Sequence, residues 1–134
     1  MKLRLRGASV RVRLDQRDLS TLMESGRVED GIRFGEFPDQ TFSYAVELQD
    51  HGPVEPRLAY TSGHFVLLLD RNVAKSWNAS SQVGFETQQD FGETTVRIIL
   101  EKDFACLDRP ASQAEDDQFA FPNPAASCGL PPQQ

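Results

Sequence analysis

The sequence predicts an α+β domain: an antiparallel sheet or barrel of about eight strands, two covering helices and an irregular C-terminal tail. Three observations predict it. Apolar and polar residues alternate with period two in several short segments bounded by turn residues. Two segments with helical spacing each follow an aspartate suited to capping a helix. The order β-β-α-β-β then occurs twice along the chain.

The first half spans about residues 1–49. Leu3 and Leu5 oppose Lys2, Arg4 and Arg6, and Val10, Val12 and Leu14 oppose Arg11 and Arg13, giving two half-buried strands. Gly7-Ala8-Ser9 between them is short enough for a tight hairpin. Asp15 is placed to cap a helix, with Asp18 in its first turn and Leu14 positioned to staple against Leu19. Leu19, Leu22 and Met23 form its apolar face, and Ser25-Gly26 ends it. Val28, Ile32 and Phe34 alternate as a third strand. After Phe37-Pro38-Asp39-Gln40, the residues Phe42, Tyr44, Val46 and Leu48 mark a fourth.

The second half, about residues 55–103, repeats this order after the loop Asp50-His51-Gly52-Pro53. Leu58 and Tyr60 form a strand, Ser62-Gly63 a turn and Phe65–Leu69 the returning strand. Asp70 caps a helix that presents Val73, Ala74 and Trp77. Val83 and Phe85 begin the next strand, and Thr94–Glu101 makes the last. An ungapped shift of 55 residues pairs Leu3 with Leu58, Val12 with Leu67, Asp15 with Asp70 and Val28 with Val83. Such self-similarity predicts a duplicated unit with a pseudo-twofold axis. The duplicated domain is read as residues 1–108. Residues 109–134 hold five of the eight prolines around Glu115-Asp116-Asp117, without periodicity, and form a tail. Phe119 and Phe121 predict that part of it packs on the domain. Val66 and Leu68 stand where the first half has Arg11 and Arg13, so that strand is apolar on both faces; the tail phenylalanines or the second helix with Trp77 are expected to cover it.

Composition narrows the functional classes. At 134 residues, with 39% hydrophobic and 25% charged residues, the chain has the makings of one globular domain. No apolar run approaches the roughly 18 residues of a membrane span. The alternating N-terminus is unlike a secretory signal, and Cys106 and Cys128 lack disulfide spacing, so a reduced, cytoplasmic location is expected. A net charge of -6 speaks against nucleic acid or anionic membrane as partner, because counterion release needs clustered cations. Yet Lys2, Arg4, Arg6, Arg11 and Arg13 lie in the first 13 positions with no acid among them, leaving -11 on the remainder. That asymmetry makes a protein partner or a homo-oligomer an expectation.

The five cations are the candidate site. Strand periodicity puts Lys2, Arg4 and Arg6 on one face and Arg11 and Arg13 on one face of the neighbouring strand, so the hairpin can gather them. Either acids on neighbouring strands neutralise them, with Glu47 and Glu101 as partners, or they form an anion site for phosphate or carboxylate, or they dock an acidic protein. Asp103, Cys106, Asp108, Glu115, Asp116 and Cys128 fall short of the four Cys or His ligands usual at structural zinc, so no metal or other cofactor is expected. Cys106 is either a buried apolar residue or a reactive thiol. His64 in its turn and His51 in its loop lack a nucleophile elbow, and no catalytic residue is assigned. Phosphate-cradling glycine motifs are absent, as are aromatics interleaved with the cations for stacking bases.

Met1–Gly7, Ser9–Leu14, Gln82-Val83-Gly84-Phe85, Glu101-Lys102-Asp103-Phe104-Ala105-Cys106-Leu107 and Phe121-Pro122-Asn123-Pro124 together resemble a family of small bacterial single-domain proteins of unknown function. That resemblance covers nearly the whole chain and implies no activity. Architecturally the chain is also similar to the triphosphate tunnel proteins, whose first strand carries alternating metal-holding glutamates. Here that strand reads Lys2, Arg4, Arg6, which argues against their metal-dependent chemistry. The expected function is a non-enzymatic binding or interaction module, with an anion-binding protein or a phosphate-processing enzyme using the basic hairpin as the alternative.

Overall fold

Each of the eight strands and both helices read from the sequence is present in the computed structural model, which describes residues 1–105 and 121–122. In order they are β1 (Lys2–Arg6), β2 (Ser9–Leu14), α1 (Gln16–Ser25), β3 (Arg27–Arg33), β4 (Thr41–Gln49), β5 (Arg57–Thr61), β6 (His64–Asp70), α2 (Arg71–Asn78), β7 (Gly84–Phe91) and β8 (Thr94–Lys102). Residues 1–103 form one unit, and a second begins at Phe104. Of the 109–134 tail only Phe121 and Pro122 are described, and Phe121, expected to pack, is exposed; the rest of that expectation falls outside the described residues, as do Cys106 and Cys128.

The helices are set by local chemistry. The Asp15 carboxylate accepts from the Asp18 amide and the Asp18 carboxylate from the Asp15 amide, both at 2.9 Å, a reciprocal box that satisfies two orphan donors. Gly26, at φ +80°, closes α1 in the left-handed region that a side chain would strain, and its N–H donates to the Leu22 carbonyl. The Asp70 carboxylate caps α2 by accepting from the Asn72 and Val73 amides. Ten and eight residues are too few for a helix that is stable alone. Leu19, Leu22, Ala74 and Trp77 are all buried in the common core, where each large apolar side chain contributes roughly 1.5–3 kcal/mol. The Trp77 indole meets Phe85 edge-on at 5.3 Å, and its Nε1 donates to the Val83 carbonyl at 3.4 Å.

The strands form two four-stranded sheets, ordered β1-β2-β8-β7 and β3-β4-β6-β5. Every hairpin is antiparallel as expected, but the central pairs, β2 with β8 and β4 with β6, are parallel. The cause is topological. Each helix stands between a strand that runs toward it and one that runs away, so β2, β4, β6 and β8 all point to the helical end. Any two of them laid side by side are parallel. Each sheet therefore takes one hairpin from each half of the chain, giving two layers rather than a single closed barrel.

A shift of 55 residues carries the Lys2↔Arg13 pairing of β1–β2 onto the Arg57↔Leu68 pairing of β5–β6. Beyond the helices the ungapped shift ends. Val28 faces the core opposite Val46, and the matching pair in the other sheet is Phe85 opposite Leu100, not Val83. Val83 precedes β7 and is exposed, because two extra residues follow α2.

The two inner faces share one core of Val10, Val12, Ile98 and Leu100 against Val46, Leu48, Leu67 and Leu69. The helices close one end of it; the four hairpin connections, residues 7–8, 34–40, 62–63 and 92–93, lie at the other. Along the β5–β7 edge the Gln89 carboxamide bridges the sheets. Its Oε1 accepts from the Leu58 amide at 2.7 Å, and its Nε2 donates to the Leu58 carbonyl at 2.9 Å, imitating a backbone rung. Val66 and Leu68 lie on the outward face of their sheet and are half-buried. Trp77 does not cover them, since it is wholly buried inside the core. Among the described residues no helix is long and apolar enough to cross a membrane.

Candidate functional site

The β1–β2 ladder places Lys2 opposite Arg13, Arg4 opposite Arg11 and Arg6 opposite Ser9. Since Leu3, Val10 and Val12 face inward, all five cations project from the outer face of the first sheet, as the alternation requires. Next to β2, the parallel strand β8 sets Glu101 beside Arg13 and Ile99 beside Arg11. One carboxylate oxygen, Glu101 Oε1, accepts from Arg13 Nε at 3.0 Å and from Arg11 Nη1 at 3.4 Å. Arg11 and Glu101 are only 5% and 4% exposed, so this is a buried pair. Such a pair persists only while both charges keep their hydrogen bonds. Lys2 Nζ lies 2.9 Å from Asp103 at the rim.

Two acids thus answer part of the basic face, and one of them, Glu101, is a partner the sequence named. Glu47 is not. It belongs to the second sheet, where it pairs with Arg27 at 2.7 Å together with Glu29, and these two carboxylates raise the Arg27 pKa.

Lys2, Leu3, Arg4, Arg11 and Arg13 line a cavity of about 350 Å³; Arg6 is not part of that lining. Arg13 Nη2 is buried and has no hydrogen-bond partner among the described residues. A buried donor left unpaired costs about 1–3 kcal/mol, more when it is charged. The arrangement is therefore suited to accept an oxygen from a carboxylate or phosphate, which guanidinium forks match well.

A second polar pair was not legible in the sequence. Parallel pairing of β4 with β6 sets Ser43 beside His64, and Ser43 Oγ meets His64 Nδ1 at 2.5 Å. The imidazole is exposed and the serine buried. No carboxylate among the described residues hydrogen-bonds the other ring nitrogen, so the pair lacks the orienting third member of a nucleophilic triad. Nearby, an open cleft of about 320 Å³ runs along β3 past Gly31, Ile32, Arg33, Thr41 and Ser43. Only the register between strands from different halves brings Ser43 and His64 together, and no local signal announces it.

Among the described residues no group of three or more His, Cys, Asp or Glu is placed to hold a metal ion. The thiol expectation at Cys106 falls outside the described residues. Comparison with curated proteins and with solved structures gives no match. Residues 1–125, and with them every element described above, match a family model, and the chain belongs to that family, a family of unknown function (DUF7009).

Proposed function

We propose that this domain is a non-enzymatic binding module that receives an anionic group, carboxylate or phosphate, on the basic β1–β2 face. One observation carries the reading: four of the five cations named from the sequence line a single cavity, and one of them, Arg13, keeps a buried donor without an acceptor among the described residues. Glu101 anchors Arg11 and Arg13 at fixed positions, which reduces the ordering cost of binding. The finer reading is of a cytoplasmic bacterial protein built by duplication of a β-β-α-β-β unit. The 55-residue relation between the two first hairpins supports the duplication, and the lack of disulfide spacing supports the reducing compartment.

Thermal unfolding in phosphate, pyrophosphate and citrate tests the anion site. A ligand at about 100 times its Kd stabilises the native state by about 2.7 kcal/mol, so the melting temperature must rise. Arg4→Ala, an exposed change at the cavity wall, is expected to diminish that rise. No rise with any of these anions at millimolar concentration would remove the reading.

A further inference from the structure

The four strands at the sheet margins differ in how open they are. Where β5 and β7 meet, the Gln89 carboxamide occupies the Leu58 rung. β1 carries Lys2, Arg4 and Arg6 on one face, so a second β1 laid antiparallel against it sets cation against cation, a common guard on an edge strand. β3 ends the second sheet, and Glu29, Asp30, Gly31, Ile32 and Arg33 are all exposed. The Leu48 amide donates to the Gly26 carbonyl and the Phe34 amide to the Gln40 carbonyl. Hydrogen-bonded pairs alternate along an antiparallel ladder, so between these two bonds the even-numbered residues of β3 face β4. The N–H and C=O groups of Arg27, Glu29, Gly31 and Arg33 therefore point away from the sheet. The Arg27 carbonyl accepts from Ser25 Oγ, and the Gly31 amide donates to Asp30 Oδ1 at 2.8 Å. The backbone groups of Glu29 and Arg33 have no such partner among the described residues.

The side chains select the occupant. Glu29, Gly31 and Arg33 share one face of β3. Arg33 makes no ion pair among the described residues, and Glu29, held by Arg27 on one side, keeps 48% of its side-chain surface. A closed twofold dimer through this edge needs antiparallel pairing, and a second β3 can bond only through its own odd-numbered residues. A register centred on Asp30 opposes Arg27 to Arg33 and Asp30 to Asp30, and one centred on Glu29 opposes Glu29 to itself; like charges disfavour both. Centred on Gly31, each Glu29 stands opposite Arg33 of the other copy. We infer that β3 is a self-association edge, where two copies pair antiparallel about Gly31 and join their second sheets into one of eight strands. Asp30 must release the Gly31 amide for this, and five residues a side bury less than the roughly 1,000 Å² of a stable interface. The pairing is accordingly weak, with a Kd on the order of 100 μM.

Sedimentation velocity of the full chain at rising concentration tests this, together with amide hydrogen exchange. A monomer–dimer equilibrium is expected, and the Glu29 and Arg33 amides should exchange more slowly as the dimer forms. Glu29→Arg alone and Arg33→Glu alone each set like charges opposite one another at two places, and each should weaken association at least about tenfold. Carrying both changes in one chain restores opposite charges across the seam and should return the affinity to near that of the parent. Asp30→Ala frees the Gly31 amide and removes a carboxylate placed opposite Ile32 of the other copy, so it should tighten the dimer. These residues are exposed, and the melting temperature in dilute solution should change little. Arg4→Ala should leave association unaltered, which separates this edge from the basic cavity. A chain still monomeric at about ten times the expected Kd would overturn the inference. So would a double variant no better than its two parents, a dimer that leaves the Glu29 and Arg33 amides unprotected, or association lost in Arg4→Ala.

Discussion

Replacing Glu101 by alanine removes a buried carboxylate that accepts from both Arg11 and Arg13. Breaking a fully buried ion pair from one side costs about 3–5 kcal/mol, since the remaining charge is stranded. Arg11 is almost wholly enclosed, but the Arg13 side chain keeps 22% of its surface, and water can recover part of its hydration. The expected loss therefore lies near the lower bound, about 3 kcal/mol. In a body of this size each kcal/mol corresponds to about 4–8 °C, so the melting temperature should drop by about 12–24 °C. Urea unfolding followed by the single tryptophan reports it directly, because Trp77 is fully buried in the native state. Glu101→Gln keeps an acceptor at Oε1 and loses only the charge assistance, a smaller cost of about 1–2 kcal/mol. Replacing the triad by Arg11→Met, Arg13→Met and Glu101→Leu together should recover most of the stability lost in Glu101→Ala, because the buried charges of Arg11 and Glu101 are removed together. An alanine variant within about 0.5 kcal/mol of the parent, a change typical of featureless surface sites, would refute the reasoning. So would a triple variant less stable than Glu101→Ala.

Two further outcomes follow from other parts of the fold. Gln89→Leu leaves the Leu58 amide and carbonyl without their partners across the β5–β7 edge. Unsatisfied groups at this buried residue should cost about 2 kcal/mol in urea unfolding, and the Leu58 amide should exchange hydrogen faster; unchanged exchange would mean that the carboxamide does not seal the edge. Tyr44 donates to the Met1 carbonyl at 3.2 Å, and burial, reinforced by the Asp30 carboxylate, raises its pKa above the usual 10.0. A raised folded-state pKa gives stability that is complete below the unfolded value and lost as pH rises through the folded one. Alkaline unfolding above about pH 10 should thus be shallower in Tyr44→Phe than in the parent, as measured by ellipticity; identical pH profiles would count against this linkage.

Most of the secondary structure was legible because its causes are local. Asp15 with Asp18, Gly26, and Asp70 declare the helix ends within a few residues, and alternation in Lys2–Leu14 fixes which side chains share a face. That same alternation singles out all four cations of the cavity. Glu101 could be nominated as an acid on a nearby strand, but Glu47 had equal standing until the sheets were assigned. One lies beside β2 and the other in the opposite sheet.

By itself, then, the sequence determined the α+β class, the eight strands, the capped helices and the basic outer face of the first hairpin, all consequences of side-chain period and short-range hydrogen bonding. Only the tertiary structure decided that each sheet joins hairpins from both halves, that the central pairs run parallel, that Ser43 meets His64, and that β3 is an edge strand. Those facts depend on contacts between residues distant in the chain, and the period of a strand is the same whichever neighbour it pairs with.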